Sequence, residues 1–397
     1  MIEEPPQASK ESIGPVVALC AVIFFADASS SSTIPTFPFF ASSLGASITM
    51  IGVLASTSAF TWMLSSIPLG LLSDRIGRRR LMLLGMLCFV VGPVLFSLSS
   101  SPIHLIPARV VLGVAMASTF SIGFVYVSEV APERRRNLFQ GLYMTSMGIG
   151  FTLGPLVGGL SAKAWGYESS FYLSSGLALV GLTLLLLVPE PEKRSISRSN
   201  AESVFSGFKR VMANRRLAAA GAANFFNSLL FSAILVFFPL FGGSIGLDES
   251  QVGLGLAVRG LISTISRFPT GALTERIGAL RLMTLSLMFS AATLIALPSF
   301  DDLLVVSAIL GIQGAAYGVY LTSGNMFVTK EAPAEQRGVA IGVYSTFSNV
   351  SGVVSPLILG AALEAWGFRG AFWASSALAL GGTAVVLALS RKGGGAP

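Results

Sequence analysis

Gly70-Leu71-Leu72-Ser73-Asp74-Arg75-Ile76-Gly77 returns 201 residues later as Gly271-Ala272-Leu273-Thr274-Glu275-Arg276-Ile277-Gly278. The same offset joins Ala131-Pro132 to Ala332-Pro333, Arg136 to Arg337, Tyr143 to Tyr344, Pro155 to Pro356, Trp165-Gly166 to Trp366-Gly367 and Phe171 to Phe372, without a gap. A constant offset over so long a stretch means two copies of one structural unit. Each copy is a string of apolar segments joined by short loops, the pattern of a membrane carrier built by duplication.

Composition agrees with that reading. Of 397 residues, 53% are hydrophobic and only 11% charged, and the mean hydropathy is +0.75; soluble domains carry about 25% charged residues. The apolar runs predict twelve helices, at 14–38, 47–72, 81–99, 103–127, 138–160 and 168–188, then at 217–241, 249–273, 281–298, 302–328, 339–362 and 370–390. Most reach the ~20 residues that cross ~30 Å of hydrocarbon. The expected fold class is all-α and membrane-embedded, with six-helix bundles at 1–188 and 217–397 and a connection at 189–216. In the connection, Val204, Phe205, Phe208 and Val211 have the spacing of a short amphipathic helix on the membrane surface. Cys20 and Cys88 fall inside apolar runs and read as small core residues.

The basic residues set the orientation. With the N-terminus inside, 21 of the 26 Lys and Arg residues fall at the cytoplasmic side, and only Lys163 and Arg369 fall on outer loops. Both termini are therefore expected in the cytoplasm of a cell or inner membrane. Basic loops facing anionic lipid account for the net charge of +7, so no nucleic-acid partner is needed.

These residues also carry a resemblance. Gly70-x-Leu72-Ser73-Asp74-Arg75-x-Gly77-Arg78-Arg79 resembles the signature loop of the major facilitator superfamily, and Glu275-Arg276 belong to its weaker second copy. Leu105-x-x-x-Arg109-x-x-x-Gly113 resembles that family's second motif. Gly150-x-x-x-Gly154-Pro155-x-x-Gly158-Gly159 resembles the antiporter motif of its twelve-helix drug:proton antiporters. Pro35-Thr36-Phe37-Pro38 is similar to the end of a further exporter motif, although the Leu-Gly expected upstream is absent. The match spans nearly the whole chain. It implies alternating access between two bundles, a cavity surrounded by helices 1, 4, 7 and 10, and a loop that stabilises one access state.

The motifs have physical readings of their own. Gly70 admits close helix approach, Gly77 permits a turn, and Asp74 offers an acceptor to exposed amides or to an arginine at a neighbouring helix end. Such a cluster behaves as a latch involving Asp74 and Arg75. Arg78 is counted with them, whereas Arg79 and Arg80 read as a positive-inside anchor. Gly150, Gly154 and Gly158 recur at i, i+4 and i+8, a flat face for another backbone, and Pro155 favours a bend. The second copy replaces those glycines with Ser351, Ser355 and Leu359.

Residues present in both copies build the fold, so unmatched charges inside helices call for another explanation. Asp27 pairs with Ser228, Arg109 with Leu310, Arg259 with Ser58 and Arg267 with Ser66. An ionisable group at the centre of a spanning helix costs ~2.5–3.5 kcal/mol on insertion scales, so such groups tend to be functional. Asp27 is the only carboxylate deep in a predicted helix. At ~1.5 Å per residue it lies roughly 16 Å from the outer end and Arg109 roughly 9 Å, within an arginine's reach. Burial favours a neutral carboxyl and a guanidinium favours the ionised one, so movement between these surroundings would take up and release a proton. The competing reading is a permanent ion pair. Asn224, Asn227 and Phe231 share a face of helix 7, and Gln313, Tyr317 and Tyr320 share one of helix 10, both read as cavity lining. Phe24, Phe25, Phe37 and Phe60 read as packing, and His104 as a surface residue at a helix end.

The sequence thus predicts a monomeric, proton-coupled exporter of small amphipathic molecules, embedded in the lipid bilayer and needing no cofactor. The competing reading is a proton-coupled importer or exchanger of a small anionic metabolite held by Arg259. An enzyme is not expected, since the chain has no metal-spaced His or Cys cluster, nucleophile elbow or phosphate loop.

Overall fold

The computed structural model describes residues 13–132, 135–190, 212–333 and 337–391; the expected surface helix around Val204 to Val211 lies outside them. The described residues make twelve long helices. They are α1 (Gly14–Ser43), α2 (Ile48–Ile76), α3 (Arg78–Ser97), α4 (Pro102–Val130), α5 (Arg136–Trp165) and α6 (Tyr167–Leu186), then α7 (Arg215–Ser244), α8 (Glu249–Ile277), α9 (Ala279–Ser299) and α10 (Leu303–Glu331). The element Arg337–Arg391 holds the last two, α11 (337–366) and α12 (368–391), parted at Gly367 where φ is 67°. Nine segments among the described residues are long and apolar enough to span a bilayer. Division at Gly367, together with the more polar α5 and α8, completes the twelve.

The repeat is visible in the backbone. The positive-φ residues are Gly45, Gly77, Gly166, Gly246, Gly278 and Gly367, three pairs at the 201-residue offset. At Gly77 and Gly278 the chain turns directly from one helix into the next with φ of 104° and 94°, which a β-carbon would oppose. This is why the signature loop had to keep its last glycine in both copies.

Two expected helices are irregular. In α1 the helix stops at Ser32, turns through Thr33 to Thr36 and resumes at Phe37. Pro35 lies in this turn, and Thr36 Oγ1 shares a 2.7 Å hydrogen bond with Ser170 Oγ on α6. In α4 a π-helical turn, Ala117–Ser121, follows the Arg109 segment. Such turns often mark functional sites.

Each half has its own apolar core, built around Leu19, Phe89, Phe96 and Phe171 in the first and Leu230, Phe237, Leu310 and Phe372 in the second. The halves meet through α5 along α8 and α2 along α11, where duplication makes the contact two-fold. A β-carbon at Gly253 would enter the Pro155 carbonyl of α5, and one at Gly52 the Pro356 carbonyl of α11. Likewise Gly159 abuts Glu249, and Gly360 abuts Ile48 and Thr49. Four exchanges of backbone at van der Waals distance close one end of the molecule. At its rim Lys163 Nζ pairs with Asp248 Oδ2 at 2.8 Å, and at the related position Thr49 Oγ1 donates to Glu364.

The same helix faces separate towards the other end, which carries the basic loops. Gly70 lies five turns below Gly52, and Gly271 five turns below Gly253, yet a β-carbon at either meets nothing within 4 Å among the described residues. The same holds for Gly141 on α5 and Gly342 on α11. The bundles form a V, closed at the end away from the basic loops and parted at the basic end.

A charged central cavity and its latch

Between the bundles lies a cavity of about 500 Å³, lined mainly by α1, α2, α4, α5, α7, α8, α10 and α11, with Pro93 of α3 and Ser174 of α6. Of the sequence-predicted residues, Asp27, Arg109, Asn224, Asn227, Arg259 and Tyr317 line it. Gln313 and Tyr320 do not. Tyr320 is fully buried in the second bundle beside Tyr344. Gln313 is 1% exposed and stands behind Arg259, accepting from its Nε at 2.5 Å while donating to Ser290 Oγ at 3.0 Å. It positions a lining residue. Asn224 also ties α7 to α11, donating to the Tyr344 carbonyl at 2.9 Å.

Asp27 is 5% exposed, and its Oδ2 has no hydrogen-bond partner. The helix turn that carries it lies against the glycine face of α5. A β-carbon at Gly150 would meet the Phe24 carbonyl and lie 3.3 Å from Asp27 Cβ, Gly154 faces Ser31 and Ala28, and Gly158 faces Ser32. Ser31 Oγ donates to the Asp27 carbonyl at 2.6 Å and to the Gly150 carbonyl at 3.3 Å. The flat face expected from the i, i+4, i+8 spacing thus receives the backbone of α1 at the acid itself, whereas Pro155 and Gly159 turn towards α8.

The expected meeting of Arg109 with Asp27 is not made in this structure. The Arg109 guanidinium lies over the ring of Phe37 at 3.5 Å and near Phe96 at 5.3 Å, and its Nε has no hydrogen-bond partner. Phe37, expected only to pack, carries the arginine. Arg267 of the opposite bundle lines the same cavity as Asp27, although no ion pair within 4.0 Å joins them among the described residues. The sequence held a signal for this: Arg259, Ser263 and Arg267 recur at i, i+4 and i+8, and all three line the cavity. Arg259 itself is 1% exposed, 5.0 Å from the rings of both Phe231 and Tyr317, and those rings stack at 4.6 Å. His104 is exposed at the closed end, near Ser100, as expected.

At the basic end the signature loop forms an ion triad. Arg78 is 8% exposed, and its Nη2 reaches Asp74 at 2.5 Å and Glu129 of α4 at 3.0 Å. Arg78, expected in the latch, is the hub of this triad. Arg79, expected as an anchor, donates to the carbonyls of Leu185 and Leu186 at the end of α6. Unpaired carbonyls at a helix C-terminus attract such a cation. In the second copy Ala279 and Lys330 stand where Arg78 and Glu129 stand in the first, so Glu275 and Arg276, both exposed, have no equivalent triad among the described residues.

The Major Facilitator Superfamily model matches residues 19–222 and again 220–396. The multidrug efflux protein YfmO of Bacillus subtilis is 27% identical over 371 residues, covering 90% of this chain and 88% of that protein. The nitrite extrusion protein of the same organism is 27% identical, covering 81% of this chain and 80% of its own. A crystal structure of a bacterial homologue of the human lysosomal transporter Spinster, inward-facing and unoccupied, superposes with a TM-score of 0.81 at 16% identity, covering 97% of this chain and 98% of that one. That likeness concerns the fold. With a family match on each half and a duplicated bundle around a central cavity, the chain belongs to the Major Facilitator Superfamily and is a multi-pass secondary transporter, not an enzyme.

Proposed function

We propose that the protein is a proton-coupled exporter of small amphipathic molecules, with Asp27 as the acid that carries the proton. One observation carries this reading. Among the described residues Asp27 is the only carboxylate lining the cavity, and that cavity is walled by both bundles, so their movement against each other changes its surroundings. The positive-inside bias of the basic loops supports an open end in the cytoplasm, the conformation that would receive cargo from inside. Outward transport is supported by the α5 motif and by relatives whose names state efflux and extrusion.

Two experiments test this. In vesicles screened with amphipathic dyes and organic acids, Asp27→Asn is expected to abolish transport driven by a pH difference while cargo binding survives. If the variant still concentrates solute on a pH difference alone, another group carries the proton. For orientation, a cysteine at position 200 should resist an impermeant maleimide applied to intact cells, and labelling from outside would reverse the topology.

A second reading, proton-coupled uptake of a small anionic metabolite, is favoured by the cavity charge. Arg109, Arg259 and Arg267 face one carboxylate. Protonating Asp27 leaves Arg267 unopposed, so proton and anion would bind cooperatively and travel together. Under this reading an acid exterior drives accumulation, and Arg259→Ala abolishes it; under export the same gradient empties the vesicle or cell.

A further inference from the structure

We propose that Arg259 is the cargo-binding group of the cavity, and that the cargo carries a carboxylate or similar anionic group on a flat apolar body. The inference rests on the cavity being the cargo site and is independent of transport direction. Arg259 is 1% exposed, yet the side chain that accepts from its Nε, Gln313, is neutral. Its Nη2 has no hydrogen-bond partner. An arginine kept from water without a counter-charge is costly unless a ligand supplies one, and here the unpartnered nitrogen belongs to a residue that lines the cavity.

The surroundings select the ligand's shape as well as its charge. Gln313, itself fixed by Ser290, holds the guanidinium by Nε and leaves Nη2 unpartnered among the described residues, a donor that a carboxylate would satisfy. Phe231 and Tyr317 lie stacked beside it, with Phe151 of the other bundle continuing the row at 6.4 Å from Phe231. An aromatic body attached to the anionic group would extend along those rings. A cationic cargo finds the opposite field, since three guanidinium groups and one carboxylate line the cavity.

The test is a binding series on the purified full-length protein in detergent, by isothermal titration calorimetry, with protein-free micelles as blank. The probes are 2-naphthoate, the neutral 2-naphthamide and the cationic 2-naphthylmethylamine. The acid is expected to bind at least about tenfold more tightly than the amide, and the amine most weakly. Arg259→Gln should erase the advantage of the acid while leaving the amide unchanged, and Arg259→Lys should keep part of it. Gln313→Leu removes only the acceptor that orients the guanidinium and should narrow the gap, which serves if Arg259→Gln does not yield folded protein. Equal binding of acid and amide by the wild type, or an undiminished preference in Arg259→Gln, overturns the assignment. No gradient enters the measurement. Its failure therefore leaves the Asp27 experiment standing, and failure of the Asp27 experiment leaves the anion preference standing.

Discussion

Adding one methyl group to each of Gly52 and Gly253 should force the closed end apart. A β-carbon at Gly52 would lie 3.0 Å from the Pro356 carbonyl carbon, and one at Gly253 3.2 Å from that of Pro155, each nearer still to the oxygen, where ordinary contact begins at 3.4 Å. The obstacle is backbone in both cases, so no side-chain rotation relieves it and the bundles themselves must retreat. Overpacking of this kind costs ~1–3 kcal/mol per site. The two sites lie on opposite sides of the pseudo-two-fold axis and burden the same closed state. At the low end their sum of ~2 kcal/mol is a roughly thirtyfold shift against closure. Spin labels at Ser43 and Ser244, exposed and related by the repeat, would report it in a background lacking Cys20 and Cys88. The double alanine variant should show a longer label separation by double electron–electron resonance. Gly70→Ala with Gly271→Ala is the control, since nothing lies within 4 Å of either β-carbon. An unchanged distribution in a monodisperse Gly52/Gly253 variant would refute the view that these glycines close this end.

The latch should be one-sided. Asp74→Asn and Glu129→Gln are expected to reach the membrane but transport slowly, and Glu129→Gln to lower the midpoint of thermal unfolding, with a cost below the ~3–5 kcal/mol of a fully buried pair because Glu129 is partly exposed; Glu275→Gln should change neither. At the rim, burial pushes the Asp248 carboxyl up, but Lys163, Ser250 and the Gln251 amide outweigh it and hold it at about 2. A carboxyl depressed in the closed state stabilises that state above its ordinary value of 3.8 and stops doing so as pH falls through about 2. The label distance between 43 and 244 should therefore stay constant from pH 7 to about pH 4, and Lys163→Gln should lengthen it at every pH in that range. Finally, Arg267→Gln should alter the pH profile of transport, because Arg267 lines the cavity opposite Asp27 from the other bundle; Arg109→Gln should leave the profile in place.

How much of this could be read from the sequence depended on whether a feature is local. The twelve helices and their two-fold relation were legible because Gly77 and Gly278, or Gly166 and Gly367, meet the same backbone demand twice. Asp27 was legible because it has no competitor. The partners were not. Axial counting placed Asp27 and Arg109 at compatible depths, but depth says nothing about azimuth, and Arg109 turned to Phe37. Gln313, Tyr317 and Tyr320 were grouped as one face, yet at 100° per residue Tyr317 points about 40–60° away from the other two. That is enough to put Tyr317 in the cavity and the others behind it. Arg78 was expected in the latch, but its acid was not identified, because Glu129 lies 51 residues away on another helix.

The distribution of charge between the copies bears on which pair can couple. Rigid bundles that rock against each other keep distances within a bundle nearly constant and change those across the seam. Asp27 and Arg109 both belong to the first bundle, as Arg259 and Gln313 both belong to the second, so neither pair is remade by rocking. Asp27 and Arg267 lie on opposite sides. Arg267 approaches the first bundle where Gly148 of α5 faces Thr264 and Arg267 itself, with a β-carbon there 3.1 Å and 3.9 Å from their side chains. That approach lies two turns towards the basic end from the backbone contact between Pro155 and Gly253. Opening the closed end and shutting the basic end must alter it, and with it the field at the acid. The proton-carrying role proposed for Asp27 needs such a change, and by this argument we propose Arg267, absent from every motif, as its modulator in place of the motif arginine of its own bundle.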